Sequence, residues 1–192
     1  MLYLNVRKDN SFVMSDDVTF SRSVLIKEVK NEIGKSKVKD IELFFQKGTF
    51  HLAVTIDSET VAFDLYLKNI TGAGWADKPG IKRCQVKNFK AEHLEGMQIV
   101  KLKHYNLILG YYNFDSNPIL VAWDAYRYLN HETNRSCYVT VDSLKRGYEK
   151  RFYEGVVSSQ KCWIFTGDRF DQFLKRYIEY VDEVYLKGEK QI

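Results

Sequence analysis

Between Lys78 and Lys103 the chain places Lys78, Lys82, Arg83, Lys87, Lys90, Lys101 and Lys103 against only Glu92 and Glu95, a local net charge of +5. The whole chain of 192 residues carries 29 Lys+Arg against 25 Asp+Glu, a net of +4. The remainder therefore sums to about −1, and the positive charge is concentrated rather than spread. A second concentration, Tyr126–Arg151, holds Arg127, Arg135, Lys145, Arg146, Lys150 and Arg151 against Glu132, Asp142 and Glu149, a net of +3. Cations clustered in polar loops are the footprint of phosphate contacts. Neighbouring Arg, Asn, Gln and Tyr side chains have the donors and acceptors to read base edges. Trp75, in GAGWADKPG, sits where a strand core is improbable and suits stacking or wedging against a partner. The same charges fit ordinary solvated loops, and Trp75 also fits a plug folded back on one end of a barrel. Trp123 and Trp163 lie in apolar runs and belong in the core.

Catalytic patterns are sparse. The sequence has no GxxxxGK[ST], no GxSxG and no HExxH. One acid–ExK arrangement exists, Asp16 or Asp17 upstream of Glu28-Val29-Lys30. Carboxylates with a lysine bind Mg²⁺ and activate water in nucleases. Here Glu28 and Lys30 fall in a helical pattern, where solvated charges on an amphipathic face are the simpler reading. Cys84, Cys137 and Cys162 are odd in number and far apart, and His51, His93, His104 and His131 lack ligand spacing, so buried free thiols and no metal or other cofactor are expected. The start, MLYLNVRKDN, has no signal-peptide pattern, and no apolar run approaches the roughly 18 residues of a membrane span. The expectation is a cytoplasmic protein with no membrane contact.

The elements that must position these residues are mainly strands. Hydrophobic residues make up 45% and charged residues 28%, enough for a proper core and unlike a disordered tail. Aromatics reach 15%, which favours sheet. Ser21–Gly34 puts Val24, Leu25, Val29 and Ile33 near one helical face, with Ser21 or Ser23 as cap and Gly34 as stop. IELFFQ, TFHLAVTI and VAFDLYLKNI, separated at Lys47-Gly48 and Asp57–Thr60, read as a β-meander. In its third strand Val61, Phe63, Leu65 and Leu67 alternate with Ala62, Asp64, Tyr66 and Lys68, one face buried and the other wet. RCQVKNF, MQIVKL, YNLILGYYNF, PILVAW, SCYVTV and KCWIFT are further strands. SLKRGYEKR forms a short helix starting at Asp142 or Ser143. From Asp168, a good N-cap, to Leu186 apolar residues recur at three and four, predicting a long C-terminal helix. The fold expected from these elements is mainly β (α+β): a compact barrel or sandwich of about seven strands with peripheral helices.

Two stretches, DLYLKNITGAGWADKPGIKRCQV and LILGYYNFDSNPILVAWDAYRYLN, with SCYVTVDSLKRGYEKRF after them, resemble a DNA-recognition domain of bacterial restriction systems. The resemblance covers Ile41–Ile164. Cys84 stands where that pattern has an aliphatic residue, and the acid sometimes found before Arg83 is absent. The resemblance implies a single DNA-recognition domain, an about seven-stranded B-three-like pseudobarrel with its core at about 36–166, as in McrB-type GTP-dependent or EcoRII-type restriction enzymes. It implies duplex DNA as partner, a role in phage defence, and no catalysis by the chain itself; a fused or separate GTPase or nuclease module would cut. It also implies two DNA-gripping arms, at Thr71–Arg83 and Tyr126–Ser136. Lys78, Lys82 and Arg83 would meet phosphates or guanine edges, Asn134 and Arg135 would read bases, Trp75 would wedge or stack, and Lys87, Tyr126 and Arg127 would also contact DNA. Some relatives recognise 5-methylcytosine. Against this stand two alternatives: a small Mg²⁺-dependent nuclease using Asp17, Glu28 and Lys30, and a protein-interaction subunit docking through Phe170, Phe173 and Tyr177.

Overall fold

The structure is a computed structural model and describes residues 2–87, 89, 103–128 and 134–186. An N-terminal hairpin, β1 (Tyr3–Val6) and β2 (Phe12–Ser15), precedes helix α1 (Arg22–Ile33). The meander follows as β3 (Lys39–Gln46), β4 (Thr49–Ile56) and β5 (Glu59–Asn69). A short β6 (Thr71–Gly72) leads through a loop to β7 (Ile81–Val86). Then come β8 (His104–Phe114), β9 (Asn117–Asp124) and β10 (Arg135–Thr140). The chain continues with helix α2 (Val141–Lys150), β11 (Phe152–Val157), β12 (Gln160–Phe165) and helix α3 (Phe170–Val181). The expected strand MQIVKL lies outside the described residues.

Seven strands form one mixed sheet in the order β11-β12-β9-β8-β5-β4-β3. Its β5–β8 pairing is parallel, with Leu65 opposite Leu107, and the other pairings are antiparallel. Four two-residue turns close the antiparallel hairpins: Lys47-Gly48, Asp57-Ser58, Asp115-Ser116 and Ser158-Ser159 all have φ > 0 at both positions. That geometry matches strand twist, and short polar residues or glycine reach it most easily. A second sheet of three strands, β10-β7-β6, is separate. No closed barrel forms among the described residues, because β3 and β11 end the large sheet at opposite edges. The mainly β class and the seven-strand sheet stand.

Each face of the large sheet carries its own core. On one, Leu52, Phe63, Leu65, Leu107, Leu109 and Leu120 bury against Leu25, Val29 and Ile33 of α1 and Phe170, Phe173, Leu174 and Tyr177 of α3. On the other, Ile108, Val121, Trp123 and Ile164 bury against Cys84, Val86, Cys137 and Val139 of the small sheet, Val6 of β1 and Val141 and Leu144 of α2. Both Trp123 and Trp163 are fully buried, as their apolar runs require. All three thiols are free and buried, and burial pushes Cys84 and Cys162 up to about 12.

Local departures have local causes. Val24 is 40% exposed, since the buried stripe of α1 runs 25, 29, 33, one helical side away. The C-terminal helix is shorter than its periodicity suggests, with a 3₁₀ turn at Gly167–Arg169 before it and a π turn at Asp182–Leu186 after it. Asp168 does not cap α3; its carboxylate accepts from Thr166 Oγ1 at 2.7 Å and from the Arg151 guanidinium. Phe170, Phe173 and Tyr177 are fully buried and give a partner no anchor, which corrects the docking role weighed for them.

Candidate nucleic-acid interface

The small sheet presents one face to the core and one outward. In β7, Lys82, Cys84 and Val86 are buried while Ile81, Arg83 and Gln85 are only partly so; in β10, Cys137 and Val139 are buried while Ser136, Tyr138 and Thr140 face out. Period-two alternation imposes this. Register then sets the outward neighbours: Arg83 lies between Thr71 of β6 and Tyr138 of β10, and Gln85 is opposite Ser136. The result is a polar face of Thr71, Arg83, Gln85, Ser136, Tyr138 and Thr140.

The loop from β6 to β7 arches over that face. Ala73 N–H donates to Ile81 O at 3.0 Å, Lys78 N–H to Trp75 O at 3.2 Å and Ile81 N–H to Lys78 O at 3.1 Å. Gly74, at φ +84°, supplies the left-handed step that turns the chain before Trp75. The Trp75 ring, 41% exposed, lies 5.3 Å from the Tyr138 ring at 32°. Lys78 Nζ is 5.8 Å from the indole centroid. Trp75 is therefore neither a core residue nor a free one: it leans on the sheet with a face open to a partner.

Cations mark both ends of this surface. Lys78 is at the loop end with Asp77 beside it, and Lys87 is at the other; Arg135, opposite inward Val86, has the parity of the core face and is exposed only because it starts the strand. Asn134 and Arg135 are exposed at the start of β10. Among the described residues Lys78, Arg83, Lys87 and Arg135 have no carboxylate partner. Much of the second arm, 129–133, lies outside the described residues.

Other residues singled out from the sequence go elsewhere. Lys82 is fully buried and cannot meet a phosphate: adjacent strand residues face opposite sides, so Lys82 and Arg83 cannot share a surface. Its ammonium is bound by Asp17 and by Asn5 Oδ1 at 2.7 Å, and lies 5.3 Å from the Tyr3 ring. Burial lowers its pKa, and Asp17 opposes that shift. Asp17 Oδ2 also accepts from Gly72 N–H at 2.6 Å. Asp17 thus ties the N-terminal segment to the small sheet, while Glu28 and Lys30 ride on α1. Tyr126 is committed to the core: its hydroxyl accepts from Asn106 N–H at 3.3 Å and its ring stacks 4.8 Å from Tyr185, with burial raising its pKa. Arg127 is exposed, with Nε 3.5 Å from Asp124. Tyr138 and Gln85, the outward residues the motifs missed, are legible in the alternation of IKRCQV and RSCYVT.

A family model described as methylase-associated X1 matches residues 61–174, from within β5 to within α3 and well over half of the chain. The chain belongs to the methylase-associated X1 family. The family's name links it to methylases and, with them, to restriction-modification systems. Trp75, Lys78, Arg83, Lys87, Asn134 and Arg135 all lie inside the methylase-associated X1 match, whereas β1–β4 and α1 lie outside it. No curated protein and no solved structure matches the chain. Among the described residues no helix is long and apolar enough to cross a membrane.

Proposed function

We propose that this methylase-associated X1 chain is a duplex-DNA-binding module of a restriction-modification system, and that the outward face of β6, β7 and β10 is its contact surface. The observation that carries the reading is the row Lys78, Trp75, Tyr138, Arg83, Gln85 and Lys87, with Arg135 exposed at the strand end beside it. It joins cations that have no carboxylate partner among the described residues to an exposed indole leaning on Tyr138. A six-residue strand spans roughly 20 Å, about six base pairs at 3.4 Å each. A two-stranded ribbon of that size fits the major groove, where Arg83 and Gln85 suit guanine and adenine edges. Lys78, Lys87 and Arg135 at the ends suit the flanking phosphates. Cleavage, or GTP hydrolysis, belongs on this reading to a fused or separate module. Preference for methylated cytosine is a further property of the same proposal.

A gel-shift with duplex oligonucleotides tests it. Binding is expected at low salt, and log K should fall with log salt by about 0.9 for each phosphate contact. Arg83→Glu with Arg135→Glu should weaken binding by roughly tenfold or more, the effect of about 1.4 kcal/mol, with the melting temperature kept. No binding at low salt, or binding indifferent to this pair of substitutions, refutes the proposal.

A further inference from the structure

A cleft of about 360 Å³ opens along the part of β5 from Leu65 to Asn69. β4 pairs with β5 only as far as Phe50 opposite Leu65, so Tyr66 to Asn69 have no strand from β4 beside them. The segment entering α1 borders this gap. Asn69 holds it there, accepting from Phe20 N–H at 3.1 Å and donating to Phe20 O at 2.9 Å. The cleft is walled by the rings of Phe20, Phe45, Phe50, Tyr66 and Phe89, and its cations are Arg22, Lys68 and Lys87. Among the described residues no carboxylate lines it.

The Arg22 guanidinium lies 3.9 Å over the Phe45 ring and is solvent-exposed. Among the described residues neither Arg22, Lys68 nor Lys87 has a carboxylate partner, and Lys68 Nζ reaches only Gln85 O at 3.4 Å. Tyr66 is fixed from behind. Its hydroxyl donates to Gln85 O at 3.0 Å and accepts from Lys87 N–H at 3.0 Å, and its ring meets Phe89 edge-on at 5.5 Å.

We infer that this cleft binds a single nucleotide, its base against the aromatic walls and its phosphate toward Arg22, Lys68 and Lys87. A purely apolar ligand would leave three cations unused, and a bare anion would leave five rings unused. A planar group carrying a phosphate uses both. The volume falls in the range of about 300–1,000 Å³ typical of small-ligand sites. Base stacking on aromatic rings beside cations is a sequence-tolerant way to hold a nucleotide. The nucleotide can be free or an unpaired unit of a strand, since both offer the same chemistry. The inference does not depend on duplex binding at the Trp75 face, and Arg22 belongs to this cleft alone.

Calorimetric titration of the full chain with dAMP, dGMP, dCMP, dTMP, inorganic phosphate and a single-stranded deoxyhexanucleotide tests the inference. A mononucleotide is expected to bind at least roughly tenfold more tightly than phosphate, and Arg22→Glu to weaken it by roughly tenfold or more with the melting temperature unchanged. Phe45→Ala should weaken nucleotides while leaving phosphate alone. Binding of the hexanucleotide without the mononucleotides, still abolished by Arg22→Glu, identifies a strand as the source. Phosphate binding as well as every nucleotide, no binding of any probe, or indifference to Arg22→Glu overturns the assignment.

Discussion

The ammonium of Lys82 and the carboxylate of Asp17 are a buried pair, 0% and 7% exposed, and each depends on the other. Removing one partner strands a charge away from water, which typically costs about 3–5 kcal/mol. Lys82→Met is therefore expected to lower the unfolding free energy in urea by about that amount, and Asp17→Asn added to it to recover much of the loss. A Lys82 that contributed nothing to stability would contradict the burial. Asp64 is a second buried acid, on the face of β5 expected to be wet. It is 5% exposed, with His51 Nδ1 at 3.0 Å and His104 Nε2 at 3.3 Å from Oδ1. Burial raises its pKa, but the bonds and charges of the two imidazoles outweigh that and hold it below the usual 3.8. Between its folded value and 3.8 the unfolded chain binds the extra proton, so stability rises with pH across that window. The contribution is present above about pH 4 and lost as pH falls through the folded value. Asp64→Asn should flatten the acid limb of a stability–pH curve, and an unchanged limb would remove the imidazoles as its cause.

At the scale of elements, α2 lies unusually close to the large sheet. A Cβ on Gly147 would come within 2.3 Å of Ile164 Cγ2 and 2.8 Å of Ile119 Cδ1. Helix propensity alone makes Gly→Ala stabilising by about 1 kcal/mol. Overpacking costs typically about 1–3 kcal/mol. Gly147→Ala is expected to destabilise the protein in denaturant melts, and a rise in stability would show that α2 can shift outward. Helices and strands were largely legible in the sequence because each carries its own period: Leu25, Val29 and Ile33 for α1, and Val61 to Leu67 for β5. The hairpin β1–β2 was not, since a four-residue strand gives too few repeats to separate from a coil. The candidate surface was half legible. The charge excess located the loop and Trp75, but charge has no direction, and only strand parity separates outward Arg83 from inward Lys82. Tyr138 carries no charge and emerges only when register sets it beside Arg83. The aromatic cleft was illegible, because Phe20, Phe45, Phe50 and Phe89 come from four separate segments: the entry to α1, β3, β4 and the exit from β7.

For the whole molecule, the large sheet is a shared wall with a core on each side. The methylase-associated X1 match begins at residue 61 and ends at 174. It omits Leu25, Val29 and Ile33 of α1 and Leu43, Leu52 and Val54 of the meander, all buried against the matched strands. A fragment of residues 61–174 would also lose Tyr177, whose hydroxyl donates to Asn106 O at 2.5 Å. Each large side chain withdrawn from a core forfeits about 1.5–3 kcal/mol of burial, and a domain's total stability is only about 5–15 kcal/mol. The fragment is expected to show no cooperative thermal transition by circular dichroism, whereas residues 2–186 should show one. A cooperative fragment would mean that the second core suffices alone.

The outer edge of β10 is closed by side chains. Gln160 Oε1 accepts from Tyr138 N–H at 3.0 Å, Gln160 Nε2 donates to Ser136 O at 3.1 Å, and Trp123 Nε1 donates to Tyr138 O at 3.1 Å. The glutamine amide mimics a peptide group of a further strand, so the Ser136–Tyr138 stretch of this edge is not a free template for another chain. Gln160 and Trp123 together bolt the Tyr138 backbone to β12 and β9. A duplex seated on that face would meet a platform already frozen into shape, with little conformational entropy left to lose on contact.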